Sequence, residues 1–238
     1  MSKITFVILN YKRPRNLVEH ILPSLLKNEL IDKIIVSHAL RETCFDTYVY
    51  NDRLLQLKNF EEQKKVGLYC RFLATERANT ECIAFQDDDF LVDNASIKFC
   101  YEQWLEDKHS IHGGLGRNIT ENTYIPKDVF SAHVPVILPG AGAMTSSLTL
   151  KKVMELAPLV EPYVQDCKPI WNGEDIFLSI VAMLQTKKFN RRHDLKVQEL
   201  PSPHAICQTK GHYEHRTYLV TKLFELFPEL KQIFKSTN

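Results

Sequence analysis

The sequence predicts an α/β fold with a mixed, mainly parallel central sheet flanked by helices. Three observations carry that expectation. Residues 4–9 (ITFVIL) and 33–37 (KIIVS) are short runs rich in β-branched residues without polar alternation, the pattern of strands covered on both faces. Between them Leu17, Val18, Ile21, Leu22, Leu25 and Leu26 follow helical spacing, so the opening forty residues read as a β-α-β unit. A third apolar run, 82–85, ends after Gln86 in three consecutive aspartates, Asp87, Asp88 and Asp89, as a buried strand does on reaching a sheet edge.

In chain order, strand 4–9 leads into a polar loop, 10–16, and Pro23 predicts a kink or break in the helix that follows. Residues 40–64 are polar with scattered apolar positions; a weak strand is expected at 45–50 or at 54–57. A helix is expected over 66–79, then strand 82–85 with the aspartates, then a helix over 94–108 with Ile97, Tyr101, Trp104 and Leu105 on one face. The second half changes character. Gly113, Gly114 and Gly116 cluster without the lysine and spacing of a phosphate-binding loop. Residues 134–138 read as an edge or bent strand because of Pro135. The small residues 139–143 read as a loop that a ligand can approach closely. Helices follow at 148–159, over an amphipathic stretch from Ile176 to Leu184, and at 213–234 with a break at Pro228. The basic group Lys187, Lys188, Arg191 and Arg192 reads as a solvated face or turn.

The totals exclude several classes. The 238 residues carry a net charge of +1, which gives no global field for nucleic acid or an anionic membrane. The six cysteines are irregularly spaced and read as reduced thiols, neither a disulfide frame nor a zinc site. No apolar run approaches the length of a membrane span, so the chain is expected to be cytoplasmic, without a signal peptide or anchor.

Three adjacent carboxylates repel one another unless a cation or several donors sit among them. Hard divalent cations prefer oxygen ligands and commonly share one or two carboxylates with substrate phosphates. The acidic stretch is therefore a candidate metal–diphosphate site; the competing reading is a solvated acidic turn. Asn10 to Arg15, Ser37-His38 and Gln86 to Asp89 all fall at the carboxyl ends of strands, where sites in such folds lie. Glu174 and Asp175 open the helix that follows Asn172. There they complement the helix dipole, with Asn172 as cap, or serve chemistry directly.

These pieces together resemble a GT-A-type glycosyltransferase, and within that group the exostosin-like transferases. The matching residues are Val7-Ile8-Leu9-Asn10-Tyr11-Lys12-Arg13, Arg71, Asp87-Asp88-Asp89 as a DxD-type motif, Gly140-Ala141-Gly142-Ala143, Asn172-Gly173-Glu174-Asp175-Ile176, and Arg216-Thr217-Tyr218 onward to Leu223. The resemblance implies one Rossmann-like GT-A domain, with a nucleotide-binding half (1–110) and an acceptor and catalytic half (111–238). It implies a UDP-sugar donor, a carbohydrate-type acceptor, a manganese or magnesium ion, and retention of anomeric configuration. Asp89 would be the direct metal ligand, and Asp87 and Asp88 would contact the ribose, the sugar or metal-bound water. Asn10, Tyr11, Ser37 and His38 would lie by the nucleotide, with Arg13 and Arg71 on the diphosphate. Ser37-His38 stands where the family pattern has an Asn-Asn pair. Asp175 would stand beside the reacting sugar, with Glu174 as its alternate or an acceptor ligand. Lys210, His212 or Arg216 would close over the diphosphate, and His212 is also a candidate metal ligand. Arg117, Gly140, Ala141, Trp171 and Asn172 would meet the sugar or acceptor; Trp171 and Tyr124 are candidate stacking rings. Two rival readings remain at this stage. A nucleotidyltransferase would want glycines in the loop after the first strand, and residues 10–16 have none. An inactive sugar-nucleotide or glycan-binding module would bind without turnover.

Overall fold

The computed structural model describes residues 3–45, 51–165, 172–202 and 206–237. The unalternating apolar runs become the centre of the main sheet. They are β1 (Ile4–Asn10), β2 (Ile31–His38) and β4 (Cys82–Asp87), and β3 (Leu54–Lys58) joins them as the edge strand in the order β3-β2-β1-β4, all parallel. The possible strand at 45–50 falls largely outside the described residues; the 54–57 alternative is β3. Successive side chains of one strand feed opposite faces. Val7, Ile83 and Phe85 enter one apolar cluster, while Ile4, Phe6, Ile8 and Ala84 enter another. Both faces are thus buried, which is why these strands carry no polar alternation.

The helix expected at 17–26 is neither broken nor simply kinked. It runs as α1 (Pro14–Asn16), a π-turn (Leu17–Ile21) and α2 (Leu22–Leu25). The wider turn takes up the register that Pro23, without an N–H, would otherwise disrupt. The helix expected at 66–79 is shorter: a helix α3 (Phe60–Val66) ends where it was to begin, Gly67 turns the chain at φ +56°, and α4 covers Cys70–Ala74 between two 3-10 turns. After β4 come β5 (Phe90–Val92) and α5 (Asn94–Glu106). Asp93 caps α5 by accepting the Ser96 N–H at 2.7 Å.

The second half holds β6 (His112–Gly113), β7 (Gly116–Thr120), β8 (Thr123–Asp128), β9 (His133–Val134), β10 (Val136–Ile137) and β11 (Ala141–Ser146). Pro135 does more than bend one strand. It divides the expected 134–138 run into β9, in the main sheet, and β10, in a small sheet with β7 and β8. The small-residue loop expected at 139–143 is in large part β11, antiparallel to β4 and buried along its whole length. Small side chains suit it because it lies between β4 and β6 inside the sheet.

Then follow α6 (Ser147–Gln165), α7 (Glu174–Thr186), β12 (Asn190–Arg192), β13 (Val197–Glu199), α8 (His212–Leu226) and α9 (Leu230–Thr237). α6 runs past the expected end at Leu159, through Pro158 and Pro162, because Val160 and Val164 pack into the same core as Phe177 and Leu223. The break at Pro228 separates α8 from α9.

The main sheet completes as β3-β2-β1-β4-β11-β6-β12-β9, mixed but parallel across its first four strands. β1 has parallel partners on both sides, so the connections leave it in opposite directions and a crevice opens at its carboxyl end. No helix among the described residues is long and apolar enough to cross a membrane.

Candidate active site

The crevice is a cleft of about 610 Å³, a size suited to a small-molecule ligand. Its floor is the carboxyl edge of β1 and β4. The start of α7, the first turns of α8 and residues Glu199, Leu200 and Ser202 line the cleft as well. The β5–β13 pairing brings segment 199–202 in, with Glu199 opposite Phe90.

The three aspartates face different partners. Asp87 ends β4, and its Oδ1 lies 2.9 Å from the Arg71 guanidinium. Asp88 is buried at the edge of the cleft, where its carboxylate engages the loop after β1. Its Oδ2 accepts the backbone N–H groups of Tyr11, Lys12 and Arg13 at 2.9, 3.3 and 3.2 Å, and its Oδ1 accepts Arg13 Nη1 at 2.5 Å. Asp89 accepts the Ser202 hydroxyl at 2.9 Å and stands 3.5 Å from Arg13 Nη1, while its Oδ1 has no hydrogen-bond partner. Burial and the charge of Asp87 push the Asp89 carboxyl up to about 6, against the pull of Arg13 and Ser202.

A second charged layer is fully buried. Arg71, from α4, bridges Asp87 and Glu174 Oε1, the latter at 3.3 Å. Its Nε and Nη1 have no hydrogen-bond partner. Burial drives Glu174 up to about 7 in spite of Arg71. Asp175 is ion-paired to Arg216, whose guanidinium lies 4.2 Å from the Tyr124 ring centroid. Asp175 and its neighbour Tyr124 hold Arg216 charged although it is buried. Asp175 Oδ1, Asn172 Oδ1 and Arg216 Nε also lack partners, and these three residues line the cleft with Arg71. A buried polar atom left unpaired costs about 1–3 kcal/mol, so a wall with several of them is shaped for a polar ligand.

Among the described residues no three His, Cys, Asp or Glu converge into a metal cage. The oxygens of Asp87 and Asp89 fit a cation of the magnesium or manganese kind, which takes one or two carboxylates and fills its remaining positions from phosphate and water. His212 lines the same cleft, but its Nδ1 is engaged by the Asn172 amide at 2.9 Å. Burial and Arg216 bring the imidazole down to about 4, so it is neutral.

Several sequence expectations meet a different arrangement. Asn172 does not cap α7: Gly173, at φ +106°, is the cap residue, and Asn172 turns to His212. Asp88 and Arg13 both line the cleft, but they pair with each other, and Asp88 Oδ2 is taken by three N–H groups of the loop. Asn10, Ser37 and His38 are buried and do not line the cleft. Asn10 Nδ2 bonds His38 Nδ1 and the Thr43 carbonyl, and Ser37 accepts from Asn59. Lys210 is exposed in the turn before α8 and does not line the cleft, whereas His212, the first residue of the helix, and Arg216, one turn further on, do. Tyr11, Arg117, Gly140 and Ala141 line it, with Arg117 ion-paired to Asp128; Trp171 lies outside the described residues. Three cleft residues carried no motif. Ser202 arrives only through strand pairing. Asp128 comes with the β8 hairpin. Tyr213, parallel to Tyr124 at 6.4 Å, shares a helix face with Arg216, so helical spacing from that arginine was its one signal.

Known structures share this arrangement of elements. S. aureus TarS (residues 1–349), in complex with UDP-GlcNAc, superposes with a TM-score of 0.58 at 14% identity, over 93% of this chain and 66% of that one. GalNAc-T7, with UDP, GalNAc and Mn2+, gives 0.61 at 14% identity, over 84% of this chain and 44% of that one. The chain therefore spans just under two thirds of the first and less than half of the second. No curated protein sequence matches it. The fold is the GT-A fold of glycosyltransferases. The glycosyl transferase family 64 domain matches residues 4–235, which takes in nearly every element described above, and the chain belongs to that family.

Proposed function

We propose that this chain moves a sugar from a UDP-sugar to a hydroxyl of a carbohydrate-type acceptor, with manganese or magnesium, as the exostosin-like enzymes do, and with retention of anomeric configuration. The observation that carries the reading is the convergence of Asp87, Asp89 and the buried Arg71–Glu174 and Asp175–Arg216 pairs on one cleft whose inward atoms lack partners. TarS with UDP-GlcNAc, and GalNAc-T7 with UDP and Mn2+, support the choice of donor and ion.

A cation held by Asp89, with Asp87 beside it, would supply charge neutralisation for a departing diphosphate. Arg71 offers two unpaired N–H groups from a buried guanidinium, and Arg216 one, to phosphate oxygens. Asp175 presents an unpaired carboxylate oxygen to the positive charge that develops at the anomeric carbon. Glu174, close to neutrality in its pKa, is placed to hold the acceptor's proton. Tyr213, which is exposed, offers a ring face to a sugar, while the buried Tyr124 ring is covered by Arg216. The halves 1–110 and 111–238 work as one unit because the donor-side carboxylates and the α7 pair share Arg71.

A second reading has one observation in its favour. Asp175 is already neutralised by Arg216, as it would be in a sugar-nucleotide-binding module without turnover. Incubating the protein with a panel of UDP-sugars, Mn2+ and simple glycoside acceptors, and measuring UDP release, separates the two. Release above the acceptor-free rate is expected. UDP binding with no release from any donor favours the binding module.

Gly140 gives a sharper check of the donor side. A Cβ there would sit 2.4 Å from Asp87 Oδ2 and 2.9 Å from its Cγ. Gly140→Ala therefore pushes Asp87 off Arg71. UDP affinity is expected to fall about tenfold, roughly the 1.4 kcal/mol of one lost ion contact, while the far-ultraviolet circular dichroism stays native. Unchanged affinity would remove Asp87 from the donor site.

A further inference from the structure

Asp88 stands inside the acidic motif and borders the cleft, yet it is almost wholly buried. The residue is 1% exposed, and its carboxylate accepts three successive backbone N–H groups, the donor set that in other proteins cradles a phosphate. Here the anion in the cradle is the protein's own. The same carboxylate takes Arg13 Nη1 at 2.5 Å, while the next carboxylate, Asp89, stands 3.5 Å from that nitrogen. The turn is anchored from a third side, since Asn16 Nδ2 donates to the Asp88 carbonyl at 2.9 Å and to the Pro201 carbonyl at 3.0 Å.

We infer that Asp88 is a positioning residue that draws Arg13 away from Asp89 and so keeps the Asp89 carboxylate open to a divalent cation. The inference rests on the reading of Asp89 as the cation's ligand. Its physical basis is competition. Arg13 is a permanent cation with two carboxylates in reach, and whichever it pairs with closely is lost to another cation. Asp88 wins because the three N–H groups fix its oxygens against the loop that carries Arg13. Asp89, held by Ser202, by a backbone contact to Leu200 and by the longer 3.5 Å contact to Arg13, keeps Oδ1 unpartnered.

The substitution Asp88→Asn keeps the shape and one oxygen for the cradle but turns an amide N–H toward Arg13. Two donors then oppose each other, and Asp89 becomes the nearest carboxylate for the guanidinium. The experiment is a Mn2+ titration of UDP binding, read by calorimetry on the full chain. An opposite charge at this range shifts a carboxylate's proton affinity by 1–3 units, and on that scale the half-saturating Mn2+ in Asp88→Asn rises about tenfold or more. Adding Arg13→Gln to that variant removes the competitor and brings the value back to within about threefold of native, a rescue that mere loss of loop structure would not show. Arg13→Gln alone keeps the value at or below native, and it decides the matter if Asp88→Asn fails to fold. An unshifted Asp88→Asn, a double variant no better than the single, or weaker Mn2+ dependence in Arg13→Gln overturns the assignment while the site reading stands. Native protein that binds UDP without regard to Mn2+ overturns both.

Discussion

Asp175→Asn is expected to lower sugar transfer by about 10²–10⁴-fold, the range lost with a charged group acting at the reacting centre. The expectation follows from where the carboxylate sits. It is buried at the start of α7, keeps one oxygen without a partner, and lines the same cleft as the aspartates. Its other oxygen holds Arg216, so the variant also leaves a guanidinium buried without its counter-charge. Breaking such a pair costs about 3–5 kcal/mol, which in a chain of this size lowers the melting temperature by roughly 10 °C. The two effects are measured separately, the first by UDP release at 20 °C and the second by a melting curve. A helix-capping role is already answered by the geometry, because Gly173 occupies the cap position. If Asp175→Asn melts lower but transfers sugar at the native rate, Asp175 is a structural partner of Arg216 and nothing more.

Asp89→Asn should act on binding, with little effect on the fold. Asp89 accepts one hydroxyl, from Ser202, and only the outer reach of Arg13, so the amide can replace most of what the carboxylate does for stability. What it cannot replace is charge. A surface-side hydrogen bond of this kind is worth about 1 kcal/mol, a few degrees of melting temperature at most. Saturating ligand in the native protein adds about 2.7 kcal/mol of stability at a hundred times its dissociation constant, and that increment is expected to disappear when UDP and Mn2+ are supplied to Asp89→Asn. A full increment in the variant would move the cation away from Asp89, to Asp87 or elsewhere.

How much of this was legible in the sequence depends on how local each interaction is. β1, β2 and β4 announced themselves because burial on both faces leaves no room for alternation, and the aspartates marked where β4 reaches the edge. β11 did not, since it opens with the small residues Ala141, Gly142 and Ala143, which read as a loop until β4 and β6 are known to flank the strand. The residue types of the site were visible, but their division of labour was not. Asp87, Asp88 and Asp89 are adjacent in sequence, and their separate partners come from α4, the loop after β1 and the 199–202 segment. Arg13 looked like a diphosphate ligand for the same reason: nothing in the sequence shows that Asp88 reaches it first. Asn172 was read as a cap because its type and position fit that role. Gly173, free to adopt positive φ, fits it better, and the asparagine then serves His212.

The central claim is that a cation and a nucleoside diphosphate bind together at the carboxyl edge of β1 and β4. The most direct measurement is the melting temperature of the native chain with UDP, with Mn2+, and with both, alongside GDP, CDP and ADP. The account predicts a rise of several degrees for UDP with Mn2+, well above the sum of the two separate effects and above that of the other diphosphates. No shift with any nucleoside diphosphate, at any Mn2+ or Mg2+ concentration, would contradict it.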